Sequence, residues 1–486
     1  MNKLSRDLFF SSAFSVLNVL LNMWLIKEAE FILSAMALGV FLLMRRVSAT
    51  FTNLSQLGTS QGIVRFVSLN KNDKEKKKTY FFISFIGWFA SVLILIGLCF
   101  FLGQYLGEIT YNENENSKMY MLLTLWYIAI LHLSYLVQPY FLTQRKIITY
   151  NIISTLNASV ILIFVFFYFS KNANLDTILY SALFIMSVLQ IALMLYIIFK
   201  LKLYETPSKK QIKQELKPFY TYSIPRSVIT FSDMFLLTIG SLLVSKDETI
   251  IASFLIALVL SRMVLVVLQP VSKLSSVIIG NNSAVEKQKQ AINLMSGAII
   301  YLTLLFVILL STWLDVLLGL WLTNPETISN VLYAFSFIAF GLLPYAFFQG
   351  LKGVIEIKFF KPYNLYSLVI AIAIHVVLFI VLKNYYNTLL SLSISLALAF
   401  ISLGITTVIW CRKDFFGNRY FRFEVLIILG VILFTANFFA NQYFNNLIGF
   451  VLCSLLSVVI YALILFKAKP LFIKEAINIL LKKNNI

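Results

Sequence analysis

Glu30-Phe-Ile-Leu-Ser-Ala-Met-Ala-Leu-Gly-Val-Phe-Leu-Leu-Met-Arg45 is an apolar run that ends on a charge. The pattern returns as Glu248-Thr-Ile-Ile-Ala-Ser-Phe-Leu-Ile-Ala-Leu-Val-Leu-Ser-Arg262. Each copy follows a basic–acidic pair, Lys27-Glu28 or Lys246-Asp247, and reaches arginine about four helical turns later. The copies lie close to half a chain apart and run in the same direction, so the repeat is parallel and not inverted. Parallel repeats about an axis normal to the membrane are a recurring transporter plan. The alternative, chance similarity between two apolar helices, is weakened by their matching direction.

Working outward, the whole chain is of this kind. Of 486 residues, 60% are hydrophobic and 13% charged, and the mean hydropathy is +0.86. A soluble protein of this length needs far more polar surface. A bilayer-spanning helix takes about 20 apolar residues, and fourteen such stretches are predicted. They are 8–26, 31–67, 80–101, 119–140, 147–169, 177–199, 219–244, 250–280, 291–313, 331–350, 362–382, 388–410, 421–440 and 447–466. The alternating strands of a membrane barrel are absent from the sequence. The second and eighth stretches are too long for straight spans, so bends are expected at Gly58 or Gly62 and at Pro270. The expected class is all-α: a polytopic helical membrane protein of about 14 transmembrane helices.

The net charge of +19 comes from 40 Lys+Arg against 21 Asp+Glu. It lies mostly in short loops, where it sets topology and meets anionic lipid, and no basic stripe interleaved with aromatics suggests a nucleic-acid groove. One set of loops carries only Lys27, Lys118, Lys171, Lys246 and Lys383. Five arginines sit inside the apolar runs, and the remaining Lys+Arg fall in the opposite loops, at the two ends, or, for Lys273 and Arg422, towards the ends of runs next to those loops. This bias predicts an even number of spans with both termini cytoplasmic. The three cysteines have no metal-knuckle or disulfide spacing. The N-terminus reads as an uncleaved first span. The loops are too short for a soluble catalytic domain, so no catalytic residues, metal or cofactor are expected.

Arg45, Arg46, Arg65, Arg226 and Arg262 are the membrane arginines. A charge at mid-bilayer costs roughly 2.5–3.5 kcal/mol on insertion scales, so it generally faces protein, water or ligand. Polar residues fall at helical spacing on four spans: Ser11, Ser15, Asn18 and Asn22; Arg45, Ser48, Thr52 and Gln56; Ser223, Arg226, Thr230 and Asp233; Arg262, Gln269, Lys273 and Ser276. Such stripes either wall a water-filled cavity or glue helices together. Essentially one acid, Asp233, accompanies the five cations, and it stands about 10 Å along the helix from Arg226. A diphosphate would supply the missing counter-charge, because the guanidinium fork matches phosphate oxygens. Snorkelling to headgroups is the competing explanation for Arg65 and Arg226. The only histidines, His132 and His375, both lie within spans, where they either relay protons or are hydrogen-bonded within the bundle.

Leu57-Gly-Thr-Ser-Gln-Gly-Ile-Val-Arg65-Phe with the charged 71–78 loop, Lys217-Pro-Phe-Tyr-Thr-Tyr-Ser-Ile-Pro225-Arg226, and Gln269-Pro270-Val-Ser-Lys-Leu together carry a family resemblance. The chain resembles the polysaccharide-transporter branch of the multidrug/oligosaccharidyl-lipid/polysaccharide exporter superfamily over roughly residues 1–412. The resemblance implies two six-helix lobes around a central cavity, rocking between inward-open and outward-open states. It assigns 1–200 and 219–412 to the lobes and 201–218 to a cytoplasmic linker. Two additional transmembrane helices at 413–466 and a basic tail at 467–486 follow. It further implies a flippase for undecaprenyl-diphosphate-linked oligosaccharide (O-antigen, capsule or exopolysaccharide repeat units) in a bacterial cytoplasmic membrane. Arg45, Arg262, Arg226 and Arg65 are the expected substrate-binding residues. Asp233 and His375 are the expected ion-coupling residues, for H+ or Na+. The protein is expected to be a monomer contacting membrane lipids and associating with polysaccharide polymerase machinery. The alternatives are a peptidoglycan lipid-linked precursor flippase, a multidrug/cation antiporter of the same superfamily, and a membrane-embedded glycan polymerase or glycosyltransferase.

Overall fold

The computed structural model of the chain describes residues 3–266 and 285–473, apart from 71, 112–115, 145, 170–173, 245–246, 359–360, 416–417 and 469. Its helices in chain order are α1 (Lys3–Ile32), α2 (Ala35–Ser55), α3 (Thr59–Leu69), α4 (Lys74–Tyr111), α5 (Ser117–Thr143) and α6 (Ile147–Thr155). A π-helical turn, Leu156–Val160, joins α6 to α7 (Ile161–Phe169), followed by α8 (Leu175–Leu201), α9 (Lys209–Leu243) and α10 (Glu248–Val266). The rest are α11 (Val285–Thr312), α12 (Leu314–Trp321), α13 (Pro325–Lys358), α14 (Tyr363–Leu382), α15 (Thr388–Cys411), α16 (Asn418–Phe421), α17 (Phe423–Tyr443) and α18 (Leu447–Ala468). No strand occurs among the described residues.

Twelve of these elements are long and apolar enough to cross a membrane, the α6–α7 run counting as one. The first and eighth predicted spans correspond to α1 and α10. The expected bend at Pro270, with Gln269, Lys273 and Ser276, lies outside the described residues. So does most of the basic tail. Starts are set by side-chain caps where the sequence offers them: Ser34 accepts from the Ala37 amide, Ser208 from Gln211 and Asn387 from Leu390. These caps satisfy amides that the first helical turn leaves open. Large side chains such as Phe100, Phe101, Phe167 and Tyr168 are more than 70% exposed. In water that surface would be untenable, whereas in a bilayer it is the solvated face.

The chain forms two compact units, residues 1–255 and 256–486. In the first, α5 packs against α4 and α8, while α2 and α3 pack against α5 and α9. The seventh predicted span (α9) therefore packs with the first six. Thr50 and Thr238 share a hydroxyl hydrogen bond of 2.7 Å, and Ser227 donates to the Asn53 carbonyl. The second predicted span is broken at Leu57 and Gly58, both with positive φ. The break falls at one of the glycines where the sequence predicted a bend.

In the second unit, α13 and α15 pack closely through Gly341 and Gly404, and Tyr345 stacks on Phe400 with centroids 4.1 Å apart. The hairpin of α17 and α18 is pinned by buried polar groups. Trp313 Nε1 donates to Asn437 Oδ1 (3.0 Å), Asn437 Nδ2 donates to Ser457 Oγ (2.8 Å), and Asn441 donates to Asp315. Leaving a buried donor without an acceptor costs about 1–3 kcal/mol. Asn437→Leu is therefore expected to lower the thermal midpoint of detergent-purified protein. Trp313→Phe in the same chain should recover part of the loss, because it removes the orphaned N–H. A double variant whose loss is the plain sum of the two singles would refute the coupling.

Candidate functional site

The break at Leu57-Gly58 sets up a cluster of two cations in the first unit. Past it, α3 runs against the start of α9 at glycine distance. A Cβ on Gly58 would lie 2.0 Å from the Ser223 carbonyl oxygen, and one on Gly62 2.4 Å from Ser223 Oγ. Glycine at both positions is what allows the two backbones to approach. An aromatic cluster completes the contact: Phe66 packs on Tyr80, Phe219 and Tyr222 with centroids 5.2–5.8 Å apart. Pro225 lies inside α9 and has no N–H, so the Thr221 carbonyl loses its helical partner one turn earlier.

This packing fixes Tyr222 between two of the predicted arginines. The Arg65 guanidinium carbon lies 4.4 Å from the Tyr222 ring centroid, and that of Arg226 lies 3.7 Å from it. Arg226 also donates to the Tyr222 carbonyl (3.1 Å). Arg65 is exposed and Arg226 half-buried. Neither forms an ion pair among the described residues.

Magnitudes show what this arrangement lacks. The two ring distances put the guanidinium carbons within about 8 Å of each other, where unit charges repel by roughly 2 kcal/mol or more at an effective dielectric of about 20, before solvent screening. Each cation–π contact returns about 0.5–1 kcal/mol at such sites. The contacts offset part of that repulsion, so the ring holds the two cations without neutralising them. An anionic oxygen about 4 Å from one guanidinium would gain roughly 4 kcal/mol at the same dielectric. Two guanidinium charges on one ring are thus left without an ion-pair partner among the described residues.

Arg45 has a different setting. Its Nη2 donates to Asn22 Oδ1 of α1 (3.0 Å) and to the Ala158 carbonyl in the π-helical turn (2.9 Å). A π-turn shifts carbonyls out of the regular i−4 ladder and is frequent at functional sites; here the guanidinium takes up one of them. These partners are neutral, so the positive charge itself is not paired by them. Arg262 lies exposed near the end of the described part of α10, in the second unit. The structure thus brings Arg65 and Arg226 together and ties Arg45 to α1 and the π-turn.

Asp233 is buried on α9, seven residues after Arg226. His375 is fully buried, with Nδ1 2.9 Å from Ser395 Oγ. Ser395 Oγ also lies 3.0 Å from the Leu392 carbonyl; with its one hydroxyl proton given to that carbonyl, His375 is the donor at Nδ1. Nε2 is then a bare acceptor, with no hydrogen-bond partner among the described residues. His132 repeats the arrangement with Ser91, which donates to the Trp88 carbonyl.

Tyr222 escaped the reading of the sequence. Its signal was present as an aromatic four residues before Arg226, on the same helical face. No spacing rule could add Arg65 from another helix.

No known family model and no curated protein matches this sequence. Solved structures do match in fold. The lipid II flippase MurJ, in an inward closed conformation, is 15% identical with a TM-score of 0.67, covering 96% of this chain and 100% of that one. An inward-facing multidrug resistance MATE family transporter of the MOP superfamily is 17% identical with a TM-score of 0.62, covering 82% and 94%. A MOP superfamily transporter from Pyrococcus furiosus, described for the reverse polarity of its binding pocket, is 14% identical with a TM-score of 0.54, covering 84% and 95%. At these identities the likeness is one of fold. The chain is a multi-pass helical membrane protein with the fold of the MATE transporters and of the lipid II flippase that it resembles.

Proposed function

We propose that the protein is a transporter that flips a lipid-linked oligosaccharide diphosphate across the cytoplasmic membrane by alternating access. The observation that carries this reading is the pair Arg65 and Arg226, held on one tyrosine ring with no acid paired to either among the described residues. A diphosphate supplies two charged groups to two guanidinium forks, and charge-assisted hydrogen bonds of this kind are the strong ones. Arg45 and Arg262 would extend the cationic path within their respective units. Asp233 and His375 would carry the coupling ion, H+ or Na+. A cationic drug would be repelled at the same cluster. The chain's own groups do no covalent chemistry in this scheme.

The sugar moiety is the finer part of the proposal. A polysaccharide repeat unit is the first reading, on the motifs Leu57–Phe66 and Lys217–Arg226. A peptidoglycan precursor is the second, and one observation favours it: the likeness to the lipid II flippase spans nearly the whole chain, last two helices included. The decisive experiment uses proteoliposomes with fluorescent undecaprenyl-diphosphate sugars of both kinds, scored by reduction of outer-leaflet dye. Faster flipping than in empty vesicles is expected, without competition from ethidium. Ethidium transport with no lipid flipping would overturn the proposal.

A further inference from the structure

A second cationic site lies on the lysine-rich face of the first unit and shares no lining residue with Arg65, Arg226 or Tyr222. A cavity of about 590 Å³ opens between the first turns of α4, the end of α5 and the α8–α9 connection. Five lysines line it, Lys74, Lys77, Lys78, Lys200 and Lys202, against two acids, Glu75 and Glu205. Its volume is in the range of small-ligand pockets, about 300–1,000 Å³. Val67, Phe81 and Leu201 give it an apolar wall.

Two features mark it as built to hold a ligand. Lys78 is 93% buried, an unusual place for an ammonium, and it points at the Glu205 carboxylate (3.2 Å). Lys202 reaches the same carboxylate from the other side (3.9 Å). Two lysines thus converge on one carboxylate, and that carboxylate belongs to a short, half-exposed connecting segment. The buried Tyr140 hydroxyl also lines the cavity, beside Gln144 and Tyr196, without a well-formed hydrogen bond to either. The N-terminal end of α4 adds a favourable dipole, while Lys200 and Lys202 cover the opposing C-terminal end of α8.

We propose that this cavity binds the phosphate headgroup of an anionic phospholipid, with Glu205 occupying the anion position when the lipid is absent. The charge excess calls for an anion. The apolar wall beside it calls for one attached to a glycerol and acyl chain, and polybasic sites next to membrane helices take anionic lipids. The incoming phosphate displaces the Glu205 carboxylate from Lys78 and Lys202 and releases the 202–208 segment. The site does not depend on what the arginine cluster transports.

The test uses full-length protein purified in a neutral detergent, with dihexanoyl phosphatidylglycerol, dihexanoyl phosphatidylcholine or inorganic phosphate added. Affinity is read from the thermal midpoint against ligand concentration. Phosphatidylglycerol alone is expected to stabilise at low concentration. Lys78→Met and Lys202→Met should each weaken it about five-fold, the size expected for one lysine near an anionic headgroup. Glu205→Gln should strengthen it several-fold, since it removes the competing carboxylate. Lys76→Met makes the same charge change at the start of α4 but outside the cavity, and should leave binding unchanged. Lys202 is well exposed, so its variant reports binding even if Lys78→Met fails to fold. Equal losses from Lys76→Met and Lys202→Met, or equal stabilisation by phosphatidylcholine, would overturn the site. Stabilisation by inorganic phosphate matching the lipid would overturn the lipid as its source.

Discussion

Replacing Arg65 and Arg226 together by alanine is expected to reduce flipping of a diphosphate lipid by a factor of about 10² to 10⁴, with membrane abundance unchanged. The size follows from two lost charge-assisted contacts at roughly 1.5–3 kcal/mol each. Each single variant should lose less, because Tyr222 still holds the remaining guanidinium. Lysine at both positions should restore only part of the rate, since an ammonium is a point charge without the guanidinium fork. Arg45→Ala supplies the contrast. It removes hydrogen bonds that tie α2 to Asn22 of α1 and to the π-turn, so it should lower the thermal midpoint as well as the rate. Flipping in proteoliposomes, normalised to the protein incorporated, reads both. A double Arg65/Arg226 variant that flips within two-fold of the wild-type rate would refute the assignment of the anion site.

A comparably large effect, on folding, is expected from Gly58→Val. The backbone there has φ +70°, where a β-branched residue is strained. Its Cβ would also overlap the Ser223 carbonyl, a backbone atom with no rotamer in which to retreat. Strain and overlap together put the loss above about 3 kcal/mol, in the range reserved for disrupted cores and special backbone sites. Gly62→Leu should behave similarly, as it meets Ser223 and the Phe219 ring. Gly97→Ala is the control: a Cβ there meets nothing within 4 Å. Accumulation of folded protein, measured by fluorescence-detected size exclusion after mild solubilisation, should collapse for the first two and stay level for the third. Normal folding of Gly58→Val would mean that α3 does not need its close seat on α9.

These two expectations rest on features of different legibility. Gly58 stood out in the sequence because the 31–67 run is too long to be one straight helix. The break was therefore predictable, and its location narrowed to two glycines. Arg65 and Arg226 were also legible as misplaced charges, but with snorkelling as a fair competitor. What gave them weight was Tyr222. Arg45 moved the other way: the repeat with Arg262 made it look like the centre of the site, and its hydrogen bonds to Asn22 and Ala158 show a helix-tying role as well. The lysine cavity was legible only as loop charge, since Lys74–Lys78 and Lys200–Lys202 meet through the packing of four helix ends.

The sequence by itself determined the all-helical membrane architecture and the approximate place of most of its spans. The reason is that the bilayer acts locally. Each stretch of about 20 residues must satisfy its own backbone hydrogen bonds and present its own apolar face, so composition alone suffices. Only the tertiary structure decided which cations share a neighbour. Arg65 and Arg226 lie on helices separated by more than a hundred residues, and their meeting depends on two glycines admitting α9 against α3. Long-range juxtaposition of that kind leaves no periodic trace in the chain, because it is set by shape complementarity between helices and not by the preference of any one of them.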